Sequence, residues 1–493
     1  MVYLQGNRCI PGNEKEGRFC GCEEHNGERN VVIVSNENVS RETEDKIQQG
    51  VHNYSAADSY VPVTDPLLQE RLEWFQDQKL ALMMHWGPYC QWGIVESWAL
   101  SDQDADWSRH QIDWTTDNQE FRRQYFDLNK TFNPVKFNPE AWARLAKESG
   151  FKYMIFTTKH HDGFCMWDTQ YTDYKITGPD CPFHTHPKAD VVRNLWEAFR
   201  YQGLGIAAYF SKADWHIPYY WNDQYDRGHF TWRGPSYKPE EDPQMWEKFV
   251  RFTHNQLMEL ATKYGRIDIL WFDAGWVCEA NGQDIRLGEI VDRIRQFQPW
   301  VLSSDRTVGG PYENYVTPEQ CIPDEPLLIP WESCITLGTS FSFNYEDTYK
   351  TPRETVGLLL NVVSKGGNLA LNVGPQPDGG LPRGAVETLK GLGRWMKRNG
   401  EGIYETRVCA PYAKDHFFFT RNRKTRAVYA FRYYEEESAV ETELVIPYTG
   451  AVRAVTLLES GDAVEYTLEA DGIHVCIPAA EEKPITLGFK IEE

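Results

Sequence analysis

The sequence lacks the segments that attach a protein to a membrane. No apolar run is long enough to cross a bilayer, and no basic, apolar leader occurs in the first 50 residues. Basic residues are also few, since 51 Lys and Arg oppose 72 Asp and Glu and give a formal net charge of −21. This balance argues against nucleic acid and anionic membranes as main partners. We therefore expect a cytoplasmic protein.

Recognisable disulfide, metal and phosphate patterns are absent as well. The eleven cysteines are odd in number and have no framework spacing, which predicts free thiols in a reducing compartment. Cys9, Cys20, Cys22 and His25 come nearest to a zinc knuckle, but their spacing matches no usual ligand pattern. No His-x-x-x-His pair occurs, and the glycine pair at 366–367 leads into a strand rather than a helix N-terminus. We expect no metal and no cofactor.

The chain of 493 residues is too long for one core, so two or three domains are expected. Residues 1–60 are polar and predict an N-terminal arm or cap. Strands and helices alternate across residues 61–404, which indicates an α/β protein with a TIM-like (β/α) catalytic barrel. Residues 405–493 carry short alternating runs between turn residues and predict a small antiparallel β-sandwich.

Capping residues mark several helix starts in the barrel region. Asn138, Asp190, Asp242 and Thr351 each precede a periodic apolar segment, and three of them are followed directly by proline. Thr351 is also followed three residues later by a glutamate, the pattern of a capping box. A further helix is predicted over residues 284–297.

The barrel strands are predicted to end in polar residues. The most apolar strand, starting at Ile267, runs directly into Asp273, which would lie at its carboxyl end. That end is the catalytic face of such barrels. Taken alone, Asp273 before Ala274 and Gly275 would more often be the start of a turn. Similar polar strand ends elsewhere favour a site, and they include His85, Trp86, His160, His161, Tyr209, Trp271, Arg306, Glu319 and Glu332.

This set of residues fits two chemistries. Histidines with carboxylates are typical of zinc sites, but His160 and His161 are adjacent and should point in opposite directions if they end a strand. Cys181, His184 and His186 are better explained by an irregular, proline-rich loop. Metal-free glycoside hydrolysis needs two carboxyl groups together with rings and polar groups that hold a sugar. The count of 18 Trp, 26 Tyr and 24 Phe agrees with sugar binding.

The sequence resembles the α-L-fucosidases of glycoside hydrolase family 29, which are retaining enzymes with a catalytic barrel and a C-terminal β-sandwich. The Lys-His-His-Asp-Gly-Phe run at 159–164 is the most specific part of this resemblance. The matching segments are 84–87, 153–173, 209–211, 270–273, 305–306, 317–319, 331–332, 365–375 and 399–404.

The resemblance implies roles for individual residues. The family's nucleophile falls on Asp273, and its acid/base falls on Glu319, with Glu332 as second choice. The implied substrate is a fucosylated oligosaccharide. Its terminal α-L-fucose would be released by a two-carboxylate double displacement without a cofactor. The expected substrate-binding residues are His85, Trp86, Glu96, Trp98, His160, His161, Tyr209, Trp271, Arg306, Glu332 and Phe343, of which Trp86, Trp271 and Phe343 would be the apolar walls.

One departure from the family pattern concerns the sugar. Family members commonly carry Glu-Trp-Tyr after the first strand, whereas this chain has Glu96-Ser97-Trp98-Ala99. A related exo-glycosidase for another fucose- or galactose-configured sugar, a non-catalytic carbohydrate-binding protein and a metal-dependent hydrolase therefore stay open as alternatives. The linkage and the oligomeric state, including a homo-oligomer, are open too.

Overall fold

The computed structural model describes residues 22–25, 28–31, 54–101, 105–109, 114–225, 232–435, 440–477 and 483–493. Its first elements are two short antiparallel strands, β1 (Cys22–His25) and β2 (Glu28–Val31). Cys9 and Cys20 of the zinc-knuckle candidate lie outside the described residues.

Seven parallel strands form the central sheet, in the order β7-β6-β5-β4-β3-β9-β8. Each strand is short and almost entirely buried, as expected for strands covered on both faces. The strands are β3 (Leu80–Met84), β4 (Tyr153–Lys159), β5 (Gly205–Ser211), β6 (Ile269–Asp273), β7 (Leu302–Asp305), β8 (Glu332–Thr336) and β9 (Asn368–Asn372).

Helices connect these strands and cover the outside of the sheet. They are α1 (Pro66–Gln78), α2 (Asn118–Phe126), α3 (Pro139–Glu148), α4 (Val191–Tyr201), α5 (Pro243–Lys263), α6 (Leu287–Arg295), α7 (Pro352–Ser364) and α8 (Arg383–Asn399). The predicted caps at Asn138, Asp190, Asp242 and Thr351 are confirmed, and Thr351 forms a complete capping box with Glu354.

The predicted start of one helix was wrong, and another helix was not predicted. The helix expected from residue 284 begins only at Leu287, because Arg286 adopts a left-handed conformation with φ 53°. Helix α2 lies in a stretch whose sequence shows no clear period. Asp117 caps it by accepting hydrogen bonds from the backbone N–H groups of Gln119 and Glu120.

An irregular segment, residues 314–320, closes the gap between the sheet edges β7 and β8. Asn314 N donates to Ser303 O at 2.9 Å on one side. On the other side Glu332 N donates to Val316 O at 2.9 Å, and Gln320 N donates to the carbonyl of Cys334, also at 2.9 Å. The sheet is therefore closed into a barrel through this segment, which we call the closing segment.

Side chains alternate between the barrel interior and the outer layer. Met83, Tyr153, Tyr209 and Trp271 pack together inside, whereas other residues of the same strands pack against the helices outside. The interior cluster is small and aromatic, so the barrel is filled rather than hollow.

The last part of the chain forms two antiparallel sheets around a separate apolar core. One sheet has the order β10-β11-β12-β17-β14 and the other β13-β16-β15. This architecture confirms the β-sandwich, while the domain limits at 60/61 and 404/405 stay a prediction. The strands are β10 (Thr406–Lys414), β11 (Phe417–Asn422), β12 (Val428–Tyr433), β13 (Glu443–Ile446), β14 (Ala454–Leu457), β15 (Tyr466–Glu469), β16 (Gly472–Cys476) and β17 (Thr486–Glu492).

Residues 54–60 of the predicted N-terminal arm pack beside the closing segment. Ser55 Oγ donates to Glu313 Oε2 at 2.5 Å, and Tyr60 OH donates to Asn314 O at 3.2 Å. Glu313 also accepts a 2.7 Å hydrogen bond from Gly309 N. The arm thus fixes the backbone that leads into the closing segment. Among the described residues, no helix is both long and apolar enough to span a membrane.

The buried carboxyl of Glu313 generates a prediction about stability. Burial raises its pKa to about 7 despite the hydrogen bonds from Ser55 and Gly309. An unfolded glutamate titrates near pH ~4.3. Over that interval the folded state holds a proton that the unfolded chain has lost. This contribution is complete below the unfolded pKa and disappears as the pH rises through the folded one.

Glu313→Gln should therefore reduce the loss of unfolding free energy that occurs as the pH rises from about 4.3 to about 7, by roughly 1.4 kcal/mol for each pKa unit of the shift. Denaturant midpoints measured across this range would test it. The exposed Glu197→Gln serves as the control. Equal slopes for both variants and the parent chain would contradict the prediction.

Candidate active site

Asp273 ends strand β6 at the carboxyl edge of the barrel, as the sequence predicted. Ala274 follows with φ 67°, so the chain turns away directly after the carboxylate. Asp273 Oδ1 accepts a hydrogen bond from Arg306 Nη1 at 2.9 Å, and Oδ2 accepts one from Tyr209 OH. Burial raises the pKa of Asp273, but the Arg306 charge and the Tyr209 hydrogen bond outweigh it and hold the pKa at about 2. Asp273 is therefore an ionised carboxylate.

Arg306 joins Asp273 to a second carboxylate. Its Nη2 donates to Glu319 Oε2 at 2.5 Å, while its Nε donates to Thr317 Oγ1 at 3.1 Å. Glu319 belongs to the closing segment and forms an isolated parallel bridge with Cys334 of β8. This bridge fixes the backbone of Glu319 against the barrel wall. Two carboxylates that share one guanidinium lie only a few ångströms apart.

Glu332 lies elsewhere than the sequence suggested. It begins β8 instead of ending a strand, and it is fully buried. Its Oε1 accepts a 3.0 Å hydrogen bond from Trp271 Nε1, and its Oε2 accepts one from Tyr153 OH. Glu332 therefore lies below Trp271, in the barrel floor. The predictions that it contacts the sugar or transfers a proton are wrong for this position.

The three predicted histidines converge at the same edge of the barrel. The ring centroids of His160 and His161 are 4.0 Å apart, and those of His85 and His160 are 5.8 Å apart. The expectation that His160 and His161 point in opposite directions was wrong. Strand β4 ends at Lys159, so both histidines lie beyond the pleated backbone to which the alternation rule applies.

Hydrogen bonds fix the tautomers of two of these rings. His85 Nδ1 donates to Asn372 Oδ1 at 2.8 Å, because Asn372 Nδ2 is engaged with Phe341 O. His161 Nδ1 donates to Ser211 Oγ at 2.7 Å, because that hydroxyl donates to a backbone carbonyl. Burial lowers the pKa of His85 to about 4 and that of His161 to about 3. Both rings are neutral, so each offers Nε2 as a hydrogen-bond acceptor.

Ser97, the residue that interrupts the family pattern, holds the third histidine. Its Oγ lies 2.6 Å from His160 Nδ1. The preceding Glu96 has φ 38° and is almost fully buried, and its Oε1 accepts a 2.6 Å hydrogen bond from Ser342 N. Burial raises the pKa of Glu96 to about 8, so this carboxyl is protonated near neutral pH. Trp98 packs edge-on against His161, with ring centroids 5.1 Å apart.

Of the three predicted apolar walls, Trp271 lies at the site, and Trp86 and Phe343 lie outside it. Trp271 stacks on Tyr209, with centroids 5.1 Å apart, and Arg306 Cζ lies 4.3 Å from the Trp271 ring centroid. Trp86 packs outward against Phe132, Phe137 and Trp142, because its neighbour His85 takes the inward position. Its assignment as a pocket wall was wrong.

Phe343 also belongs to the outer core. Phe341, which the sequence analysis missed, packs on His85 with ring centroids 4.9 Å apart. Phe341 and Phe343 would lie on the same face of a regular strand, so their spacing does not tell which one faces inward. Choosing between them needs the register of this irregular segment, which no flanking strand supplies.

The same site offers one potential set of metal ligands. Atoms of His160, His161 and Asp273 lie within 4.8 Å of one another. Both carboxylate oxygens of Asp273 already accept hydrogen bonds, and the adjacent Arg306 guanidinium repels a cation. These residues therefore do not fit a metal. The other histidine-cysteine candidates bond locally, since His184 Nδ1 contacts Cys181 O at 2.7 Å and His186 stacks on Phe183.

The sequence is similar to those of known proteins. Rat plasma alpha-L-fucosidase is 29% identical over 367 residues, which cover 71% of this chain and 74% of the relative. The human plasma enzyme is 27% identical over 428 residues, covering 82% of this chain and 85% of the relative.

Solved structures agree with these sequence relatives. Alpha-L-fucosidase isoenzyme 1 from Paenibacillus thiaminolyticus superposes with a TM-score of 0.69 at 29% identity, covering 86% of this chain and 99% of that one. A GH29 enzyme from Bacteroides thetaiotaomicron, trapped as a covalent intermediate with 2-fluoro-fucosyl fluoride in a glutamate-to-glutamine mutant, gives 0.69 at 25% identity, covering 90% and 98%. The model of the Alpha-L-fucosidase family matches residues 47–401, and the chain belongs to this family of glycoside hydrolases.

Proposed function

We propose that this chain releases terminal α-L-fucose from oligosaccharides by a retaining double displacement, with Asp273 as nucleophile and Glu319 as acid/base. The observation that carries the proposal is the shared guanidinium of Arg306, which bonds Asp273 and Glu319 at 2.9 and 2.5 Å. Retaining enzymes hold their two carboxyl groups about 5–5.5 Å apart, against ~6.5–9.5 Å in inverting ones. Two carboxylates on one guanidinium fit the shorter separation. The trapped intermediate of the Bacteroides relative supports the same chemistry.

The proposed reaction has two steps. In the first, Asp273 attacks the anomeric carbon and forms a glycosyl ester, while Glu319, which carries a proton in the reactive complex, gives that proton to the departing oxygen. In the second, Glu319 takes a proton from water, which attacks the same carbon and releases Asp273. Asp273 suits the nucleophile because its low pKa keeps it ionised. Arg306 can follow the charge as it leaves Asp273, since it bonds both carboxylates.

Recognition of the sugar is proposed to use neutral groups. Nε2 of His85 and Nε2 of His161 accept hydrogen bonds from ring hydroxyls, and the protonated Glu96 donates one. Phe341 offers an apolar surface beside His85 that suits the C5 methyl group of fucose. A hexose would place a hydroxymethyl group there and leave its hydroxyl without a partner. This contact favours fucose over the galactose-configured alternative.

A reducing compartment, such as the cytoplasm, is the proposed location. Eight cysteines among the described residues are free, and most of these are buried: Cys90, Cys165, Cys181, Cys278, Cys321, Cys334, Cys409 and Cys476. Free thiols persist where glutathione keeps them reduced.

The first test concerns the nucleophile. Asp273→Gly should lose on the order of 10³-fold or more in turnover of an aryl α-L-fucoside, because the covalent route is gone. Added azide should restore part of the activity and give the inverted glycosyl azide, which NMR identifies. Turnover of the aryl α-L-fucoside by the parent chain, without turnover of the matching β-D-galactoside, α-D-galactoside and β-D-fucoside, would support fucose specificity. Near-normal turnover in Asp273→Gly would refute the assignment.

A second test concerns the histidines. His160→Ala and His161→Ala should each lower kcat/KM by roughly ten- to a hundredfold, the effect of about 1–3 kcal/mol for a lost partner of a buried polar group. Part of the loss should fall on kcat, because hydrogen bonds to ring hydroxyls strengthen toward the oxocarbenium-like transition state. Stoichiometric zinc in protein purified without added metal, or loss of activity on chelation, would instead favour a metal site.

The third test concerns the acid/base. Glu319→Ala should cripple hydrolysis of a fucosyl-oligosaccharide but largely spare ester formation from a nitrophenyl fucoside, because a good leaving group needs no proton. Azide should then accelerate the second step and yield the retained azide. Leaving-group series for the variant and the parent chain measure the difference. Equal slowing of good and poor leaving groups would remove Glu319 from this role.

A further inference from the structure

Glu332 is a fully buried carboxyl group that takes no part in the proposed reaction. It begins β8, beside Asn368 at the start of β9, and therefore lies at the barrel end opposite Asp273. It accepts hydrogen bonds from Trp271 Nε1 and from Tyr153 OH. Burying a carboxyl group at this depth costs free energy unless hydrogen bonds compensate for the lost contacts with water.

Trp271 connects this buried carboxyl to the site. One edge of its indole donates the 3.0 Å hydrogen bond to Glu332, and its ring face lies 4.3 Å from Arg306 Cζ. The other hold on Arg306 from the protein wall is the 3.1 Å bond from its Nε to Thr317. The plane of the indole therefore sets where the guanidinium can lie between Asp273 and Glu319.

The hydrogen bond fixes the indole in a way that packing alone does not. Tyr209 stacks on Trp271 at 5.1 Å, and a stacked ring can slide or rotate in its own plane. A single N–H donor held by a buried acceptor removes that freedom. The acceptor is itself fixed, because Tyr153 OH bonds its other oxygen and accepts a 3.2 Å bond from Asn368 Nδ2.

We propose that Glu332 is a positioning residue, which orients Trp271 and thereby places Arg306 between the two reacting carboxylates. The inference rests on the proposed function, since it assumes that Asp273 and Glu319 react. It assigns Glu332 no contact with substrate and no proton transfer.

The first experiment compares two buried glutamates that each accept an indole N–H. Glu332→Leu should lower kcat on the order of 10²-fold, the cost of about 1 Å of misplacement at the reacting groups. It should do so equally for nitrophenyl and oligosaccharide substrates. Glu259→Leu is the matched control. Glu259 lies on helix α5 and accepts a 3.0 Å hydrogen bond from Trp167 Nε1. Among the described residues it has no contact with Trp271 or Arg306. This variant should lower the unfolding free energy while keeping kcat.

The pH profile separates positioning from mere stability. Arg306 keeps the pKa of Asp273 low, so a displaced guanidinium lets that pKa rise. The reaction needs ionised Asp273, and the acid limb of kcat/KM should therefore move to higher pH in Glu332→Leu but not in Glu259→Leu. The other titratable groups that face Asp273 are the same residues in both variants: His85, His161, Tyr209 and Glu319.

Two further variants keep the test decisive if Glu332→Leu does not fold. Glu332→Gln retains an oxygen for the indole N–H and should recover kcat to within about tenfold of the parent chain. Trp271→Phe removes the N–H and should shift the acid limb in the same direction. Where Glu332→Leu folds, adding it to Trp271→Phe should change kcat little, because the link is already broken.

Three results would overturn the inference. The first is an unchanged kcat and acid limb in Glu332→Leu. The second is a loss confined to poor leaving groups with azide rescue, which would make Glu332 the acid/base. The third is strict additivity in the double variant. A failure of the proposed function is distinguishable, because it would appear as activity retained in Asp273→Gly.

Discussion

The structure of the site depends on one buried cation, the guanidinium of Arg306. Burial lowers the pKa of an arginine, yet the neighbouring Glu319 and Asp273 carboxylates raise it further than burial lowers it. The charge is retained in an environment where an isolated one would be costly, because two anions and an indole face surround it. Its planar fork also gives each carboxylate a separate nitrogen, which a lysine could not do with the same geometry.

The other polar groups of the site are uncharged as a consequence. His85 and His161 are neutral because burial opposes a second cation, and Glu96 is protonated because burial opposes a third anion. Asp273, Glu319 and Arg306 therefore form the charged group at the proposed reaction centre. Neutral hydrogen-bonding groups can then recognise the sugar without disturbing that balance, which is the usual division between orientation and charge stabilisation in a water-poor site.

The sequence predicted the barrel, the sandwich and the strand-end position of Asp273, because burial pattern and capping residues are local signals. It also brought His85, Tyr209, Trp271 and Arg306 to one edge. It failed where register decides. Phe343 was chosen over Phe341, and Trp86 was turned inward, because both choices depend on neighbours far along the chain. Glu332 was placed at the wrong end of its strand for the same reason, since its closing partner, Val316, pairs outside any regular strand.

The closing segment has a consequence for how such a barrel can diversify. Asp273 is carried by a regular strand with pairing partners on both sides, whereas Glu319 is carried by irregular backbone at the only place where the ring of described strands is not continuous. Changes of length or sequence at this seam reshape the side of the pocket from which the aglycone departs. The proposed fucose-binding residues on the other side would keep their positions. The same reaction could then act on many different leaving sugars.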